Sequence, residues 1–526
     1  HFVFEQLQHH ALTTQARAWQ ILSEFGAKGN TLFIANALAV SQANTTLTQK
    51  LAELPEVAYI SADPWIYFNS DILQPNSSPT DRNGIEWGVA RVHAPEVWNL
   101  GYSGQGITIG GADTGYEWTH PAIKPSYRGW NAVDSSANHA YHWHDAIHEF
   151  SPLNYDTSGN PGVNPCGFDA PEPCADHFHG THTMGTMTGD DGLGNQIGVA
   201  PGAKWVGCRN MERGWGRPST YLECFQWFLA PTDLGGQNAD PNLAPHIINN
   251  SWYCDYVEGC TDLTVHELLH EAVINLKLSG VLVVVSNGNF GPNCATTYGP
   301  PAYFEESFSV GALRSDDGIA DFSSRGPVII DGSDRQKPNI SAPGVQVRSA
   351  DLNGGYRDAN GTSMAGPHVA GVAALILSAR PDLAGEVEIL ETIMELTAYP
   401  LSDTIDCGQI DGSAVPNNTF GYGGVDALAA VNRALAMVGF NAADQPTPIV
   451  AIAPNPVGSE AVFAIENLSG KSDLDIWNAS GQLIFHKSWT GIGRESVRAP
   501  FQNQKPGVYF WKLTSETGSL SGKIVH

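Results

Sequence analysis

The sequence predicts an α/β fold: a largely parallel sheet sandwiched by helices, preceded by a small α+β segment and followed by a β-sandwich. Three observations predict it. Between residues 84 and 437, continuous apolar strand-like runs alternate with helical stretches, the pattern of a parallel sheet covered on both faces. Residues 1–80 read as a short mixture of helix and strand. Beyond a linker at 441–448, short alternating strands follow one another with turn residues between them. A chain of 526 residues is also long enough for two or three domains.

In chain order, 31–40 reads as a strand, 45–53 as an amphipathic helix and 57–60 as a second strand, with a loose Pro/Ser/Asn stretch at 74–79. In the second part the strand-like runs are 107–112, 246–250, 281–285 and 308–311; 221–229 and 265–277 read as helices, and the small-apolar run 369–379 as a buried helix. Functional segments of such a sheet belong at the carboxyl ends of strands and at helix N-termini. In the third part, 449–526, strands are expected at 461–465, 474–477, 482–485 and 508–513, with Ser480-Gly481 as a hairpin turn.

Composition narrows the function classes. With 27 Lys+Arg against 54 Asp+Glu the net charge is −27. Nucleic acid and anionic membrane surfaces call for basic patches, so neither is an expected partner. No run of about 18 apolar residues suggests a membrane span. The chain starts at His1 without an apolar leader, and we expect a signal peptide to have been removed or omitted. Eight cysteines point to an oxidising compartment, with Cys166–Cys174 and Cys254–Cys260 as local disulfides. The pairing of Cys208, Cys224, Cys294 and Cys407 stays open at this point, since connectivity does not follow from spacing.

Four segments carry chemistry. Asp113, in Ala112-Asp113-Thr114-Gly115, follows a strand and can accept a hydrogen bond from an imidazole. His179 and His182, in His179-Gly180-Thr181-His182, lack the spacing of a zinc-hydrolase helix. The histidines at 142–148 also match no metal motif and read as an exposed polar loop, so no metal ligand is assigned. Ser363, in Gly361-Thr362-Ser363-Met364-Ala365, opens a small-residue helix whose dipole favours a nucleophile held there. Asn289, in Ser286-Asn287-Gly288-Asn289, offers a side-chain amide at a strand end for a developing oxyanion.

The order Asp, His, Ser is one of several in which this relay occurs on unrelated folds. Together the four segments resemble the subtilase family of serine peptidases over about 88–437. Glu117-Trp118-Thr119-His120-Pro121, Cys208-Arg209-Asn210-Met211 and Asn249-Asn250-Ser251-Trp252 resemble its bacillopeptidase F branch. The resemblance implies a subtilisin-like fold and Asp113, His179 and Ser363 as triad with Asn289 as oxyanion donor. It implies that Gly214-Trp215-Gly216 and Ser251-Trp252-Tyr253 sandwich an extended peptide, with Gly299 at the floor of the primary specificity pocket. Tyr253 departs from the family's usual Gly, and Asn287 from a more usual Ala.

Residues 1–80 resemble the inhibitory propeptide of that family, which would make the chain its own intramolecular inhibitor, self-cleaved near 75–85. No cofactor is required for catalysis in the family. Structural calcium is its common ion, and loop 188–196 has the length and oxygen-rich composition for it, although Ala122 stands where a carboxylate ligand is expected. Ala453-Pro454-Asn455-Pro456, Gly507-Val508-Tyr509-Phe510 and Gly522-Lys523-Ile524-Val525 resemble the sorting domain of the type IX secretion system, whose machinery becomes an expected partner. The expectation is a secreted or cell-surface endopeptidase acting on protein or peptide substrates, with domains 1–80, 84–437 and 449–526. Competing readings are a peptide ligase or macrocyclase on the same scaffold and a non-catalytic adhesin.

Overall fold

A computed structural model describes residues 1–67, 84–155, 159–160, 162–254, 260, 262–437, 449–453, 457–478, 482–502, 504–505, 507–515 and 518–526. The chain forms two compact units: His1 with Thr14–Met437, and Phe2–Thr13 with Val438–His526. The linker at 441–448, the turn Ser480-Gly481 and the stretch 74–79 lie outside the described residues.

Seven parallel strands form the sheet at the centre of the larger unit: β1 (Thr108–Asp113), β2 (Trp143–Asp145), β3 (Lys204–Arg209), β4 (Ile247–Asn250), β5 (Leu282–Ser286), β6 (Phe308–Leu313) and β7 (Ile340–Pro343). They pair in the order β7-β6-β5-β4-β1-β3-β2. β1 is buried along its whole length, as continuous apolar runs in a doubly covered sheet require. Helices α1 (Phe178–Thr188), α2 (Pro218–Leu229), α3 (Leu263–Leu278) and α4 (Thr362–Ala379) cover the sheet. α4 is long and apolar enough to cross a membrane by length and composition, yet it is buried in this core, as the sequence predicts.

Two elements within residues 1–80 differ from expectation. The strand expected at 31–40 is a hairpin, Lys28–Leu32 and Ala37–Ser41 paired antiparallel. A 3-10 turn, Phe33–Ala35, breaks it, with Asn36 left-handed at its end. The apolar run is continuous because Ile34 is fully buried at that turn, so burial and not strand geometry explains its composition. Residues 57–60 form no strand. The helix expected at 45–53 is present as Thr45–Ala52, capped by Asn44, whose side chain accepts from the Leu47 N–H.

The 142–148 stretch is not an exposed loop. Trp143–Asp145 is strand β2 at the sheet edge, and Asp145 is buried. His144 and His148 both bond Glu223 of α2, at 2.8 and 3.1 Å. Their pairing with a carboxylate 75 or more residues away holds the Glu223 pKa down to about 2 and raises His148 to about 9. A polar composition here reflects partners remote in sequence.

Four disulfides join Cys166–Cys174, Cys208–Cys224, Cys254–Cys260 and Cys294–Cys407. The two local bridges are as expected. The others tie β3 to α2 and close a separation of 113 residues.

In the smaller unit five antiparallel strands, Ile449–Ala453, Glu460–Asn478, Leu483–Pro500, Val508–Ser515 and Gly518–Val525, share one hydrogen-bonded network. Val508–Ser515 alternates exposed and buried side chains. Phe463, Ile465, Leu474, Ile476, Val497 and Leu513, from both halves of the long strands, close one core.

Candidate active site

Asp113 is the last residue of β1, flanked by the carboxyl ends of β3 and β4: Arg209 lies opposite Asp113, and Asn250 opposite Ala112. Its carboxylate is 1 % exposed. Oδ1 accepts from the Thr114 N–H at 2.7 Å, and Oδ2 from the Thr183 hydroxyl at 3.3 Å. The His179 Nδ1–H lies 2.8 and 2.9 Å from the two oxygens. Thr114 and Thr183 were not singled out from the sequence. Their signal is the Thr beside Asp113 and the Thr one turn beyond His179, on the same helix face.

His179 sits in the first turn of α1. His177 caps that helix, its Nδ1 accepting the His179 N–H at 3.3 Å. Burial holds His177 down to about 4 and His182 down to about 3, so both are neutral near pH 7. The Nε2 of His182 lies 3.0 and 3.1 Å from the carbonyls of Val347 and Arg357. That bonding makes His182 a structural histidine and separates it from its neighbour in the motif. Gly180 lets the helix approach β1: a Cβ there would lie 2.3 Å from the Gly115 carbonyl oxygen and 3.1 Å from the Asp113 Cβ.

Ser363 stands in the first turn of α4, which packs beside α1. Its hydroxyl donates to the Ser251 carbonyl at 3.1 Å, and the Ser251 hydroxyl donates back to the Ser363 carbonyl at 2.9 Å. The second bond has a covalent cause. Pro367 would supply the i+4 helical N–H to the Ser363 carbonyl but has none, so the hydroxyl of Ser251 takes its place. Asn289 Oδ1 accepts from both the backbone N–H and the hydroxyl of Thr362, each at 2.9 Å. With the oxygen so fixed, the amide nitrogen is the end left for an acceptor outside this pair. Asn287 instead turns its amide inward, donating to Thr297 and the Ser324 carbonyl.

Of the expected substrate residues, Trp215–Gly216 is a strand, paired on one side with Met211–Glu212 and on the other with Ile66–Tyr67. Ile66 lies opposite Gly216 and is fully buried, and the Tyr67 ring lies 4.8 Å from that of Trp215. Gly214 turns the hairpin ahead of this strand. Ser251, Trp252 and Tyr253 are buried; Trp252 stacks on Tyr221 at 4.0 Å, and Tyr253 meets Phe290 edge-on at 5.2 Å. Gly299 is buried beside them, since the Cys254 N–H donates to the Pro300 carbonyl at 2.8 Å.

Residues between 31 and 63 also bond α2, its N-cap Arg217 and α3. Asp63 accepts from the Ser219 N–H and hydroxyl and pairs with Arg217 at 3.0 Å. The Ile34 carbonyl accepts from Asn275 of α3 at 2.7 Å, and Gln226 of α2 bonds both the Ile34 N–H and the Thr31 carbonyl. The processing point expected near 75–85 falls largely on 68–83, outside the described residues. Gly84–Ile85 pairs with Asn195–Gln196.

That last contact bears on calcium. In loop 188–196 Asp190 Oδ1 accepts the Gly192 N–H, and Asp191 Oδ1 accepts those of Leu193 and Asn195. Asp191 Oδ2 accepts from Asn195 Nδ2 and the Tyr356 hydroxyl. The Asn195 oxygen accepts from Arg348, whose guanidinium also pairs with Glu86 at 3.1 Å and lies 4.3 Å over the Tyr356 ring. The side chains of Arg348 and Glu86 are only 3 % and 9 % exposed. Asp191 and Asn195 thus accept from Leu193, Asn195, Tyr356 and Arg348, and that fixed cation bridges the loop to Glu86, so the side chains of Asp191 and Asn195 do not fit a calcium ion. Among the described residues no group of three or more His, Cys, Asp or Glu could hold a metal. Removing one partner of a buried ion pair costs about 3–5 kcal/mol. Arg348→Ala is therefore expected to lower stability by about that much, read as a lower urea midpoint; an unchanged midpoint would show that Arg348 does not hold this loop.

Residues 104–423 match the Subtilase family, and residues 451–526 match the Secretion system C-terminal sorting domain. The chain is 37 % identical over 417 residues to Bacillopeptidase F of Bacillus subtilis, covering 76 % of this chain and 26 % of that protein. It thus spans about a quarter of that relative's length. Subtilisin E of Bacillus subtilis is 26 % identical over 370 residues, 70 % of this chain and 77 % of that one. M-protease of Shouchella clausii is 28 % identical over 327 residues, 62 % and 67 % respectively.

Proposed function

Since the chain belongs to the subtilase family of serine peptidases and carries a sorting domain for type IX export to the cell surface or medium, we propose that it is an endopeptidase acting through Asp113, His179 and Ser363. Ser363 Oγ attacks the carbonyl carbon while His179 takes its proton. Asp113 holds the Nδ1–H tautomer and stabilises the imidazolium. The Asn289 amide and the Ser363 backbone N–H receive the oxyanion. His179 then protonates the leaving amine, and water releases the acyl group by the reverse sequence. The observation that carries this reading is the buried Asp113–His179 pair at 2.8 Å.

The reading extends to regulation and specificity. Residues 1–80 act as an inhibitory propeptide of the domain 84–437, with 449–526 as the sorting domain. The supporting observation is the Ile66–Tyr67 strand on Trp215–Gly216, where an extended substrate would add its own strand. Gly214, Trp215, Gly216, Ser251, Trp252 and Tyr253 line the substrate path, and Gly299 leaves room for a bulky apolar or aromatic residue before the cleaved bond.

The test is fluorophosphonate labelling of processed protein, with the labelled peptide identified by mass spectrometry. Label on Ser363 is expected; a processed, folded protein that takes no label would sink the enzyme reading. Product analysis separates hydrolysis from ligation. Asn289→Leu is expected to lower kcat by about 10²–10³, the size of the loss when a subtilisin is deprived of its oxyanion asparagine. A loss confined to KM would remove Asn289 from the oxyanion site.

A further inference from the structure

We infer that Asp176 is a positioning residue for extended substrates: its carboxylate fixes the hairpin that presents Trp215–Gly216 and ties it to the start of the helix bearing His179. This rests on the reading of Trp215–Gly216 as the substrate strand and of His179 as the base.

Met211–Glu212 and Trp215–Gly216 are the arms of a two-residue hairpin. Both turn residues have positive φ, 50° at Arg213 and 88° at Gly214. Such turns favour Asn, Asp or Gly at the first position, and an arginine there is strained. A strained residue persists only where its surroundings hold it. Two carboxylates hold it here: Glu212 accepts from the Arg213 side chain, and Asp176 Oδ1 accepts the Arg213 backbone N–H at 3.0 Å, the one side-chain bond to the turn's backbone that comes from outside the hairpin among the described residues.

Asp176 Oδ2 pairs with the Nη1 of Arg209 at 3.3 Å, and both side chains are fully buried. Arg209 is itself fastened by Asp145, at 2.9 Å, and by the Gly167 carbonyl, at 2.6 Å. It stands in register with Asp113 on the neighbouring strand. In sequence Asp176 precedes the helix cap His177 directly. One buried carboxylate therefore touches the backbone of the substrate hairpin and adjoins the cap of the catalytic helix. It is aimed at the hairpin and not at the reacting atoms. The other groups facing it are Glu212 and Asp145, which raise its pKa, and Arg209, which lowers it; burial outweighs the arginine and leaves it at about 7.

The experiment compares two substrates of the processed enzyme. One is a fluorogenic peptide with six residues before the reacting bond; the other is an ester of a single aromatic amino acid, too short to reach Trp215. Asp176→Asn is expected to lower kcat/KM at least tenfold on the peptide, mainly through KM, and to leave the ester within twofold. Equal loss on both, or loss on neither, overturns the inference. Should the variant not fold, the wild-type enzyme carries the same test. The carboxyl gains a proton as pH falls through about 7, so the peptide-to-ester ratio should be high at pH 9 and fall towards pH 5. A ratio flat across that range overturns the inference. An enzyme that hydrolyses neither substrate overturns the triad reading instead.

Discussion

Ser363→Ala is expected to lower kcat by about 10⁶-fold, the size of the loss when a subtilisin is deprived of its nucleophile. The change removes one oxygen from the first turn of a helix buried in the core, so the fold should survive. The hydroxyl of Ser251 still has the residue 363 carbonyl to donate to, because Pro367 leaves it open in either protein. The variant should accumulate as the uncut precursor, with Ile66–Tyr67 still on Trp215–Gly216. Peptide hydrolysis assays and intact-mass measurement over days check both statements. Normal processing of the variant, with no other peptidase present, would overturn self-maturation while leaving the hydrolysis result to stand or fall alone.

Asp113→Asn should cost about 10⁴ in kcat, for a reason visible in its hydrogen bonds. The oxygen of the new amide must face the Thr114 N–H, which only donates. The NH₂ then takes the Oδ2 position, between the Thr183 hydroxyl and His179 Nδ1. Thr183 can rotate to accept. Nδ1, 2.8 Å from the retained oxygen and 2.9 Å from the new NH₂, now faces one acceptor and one donor. Its N–H form loses the preference that two acceptors gave it, and the form in which Nδ1 accepts gains. In that form the imidazole proton sits on Nε2, the atom that must receive the serine proton. Nitrogen-15 NMR of His179 should report the changed tautomer along with the kinetic loss. An unchanged tautomer with full activity would remove Asp113 from the relay.

Strands β1, β4, β5 and β6 and helices α2, α3 and α4 were legible because each is several residues of one character, whereas β2, β3 and β7 were not read from the sequence. β1, β4, β5 and β6 appear within one to two residues of the apolar runs that predict them. The four segments read as chemical stand out in the sequence because each combines a reactive side chain with small neighbours. Other parts were not. The expected strand at 31–40 splits at Ile34, whose burial keeps the run apolar through a turn. The histidines of 142–148 look like a solvated loop until Glu223 is brought to them. A calcium loop has the composition of loop 188–196, but where its oxygens point depends on donors at 195, 348 and 356.

The family, the order of the chemical segments, the layered architecture and the export signal are all carried by local runs of residues, and the amino-acid order suffices for them. Folding had to bring remote residues together before it was settled that His182 meets the backbone carbonyls of Val347 and Arg357. The same holds for how the remaining four cysteines pair, for the arginine at the acidic loop, and for residues 66–67 lying along Trp215–Gly216. The physical reason is common to all four. A hydrogen bond, an ion pair or a disulfide forms only between atoms brought within about 3 Å, and the partners here lie between 16 and 262 residues apart in the chain.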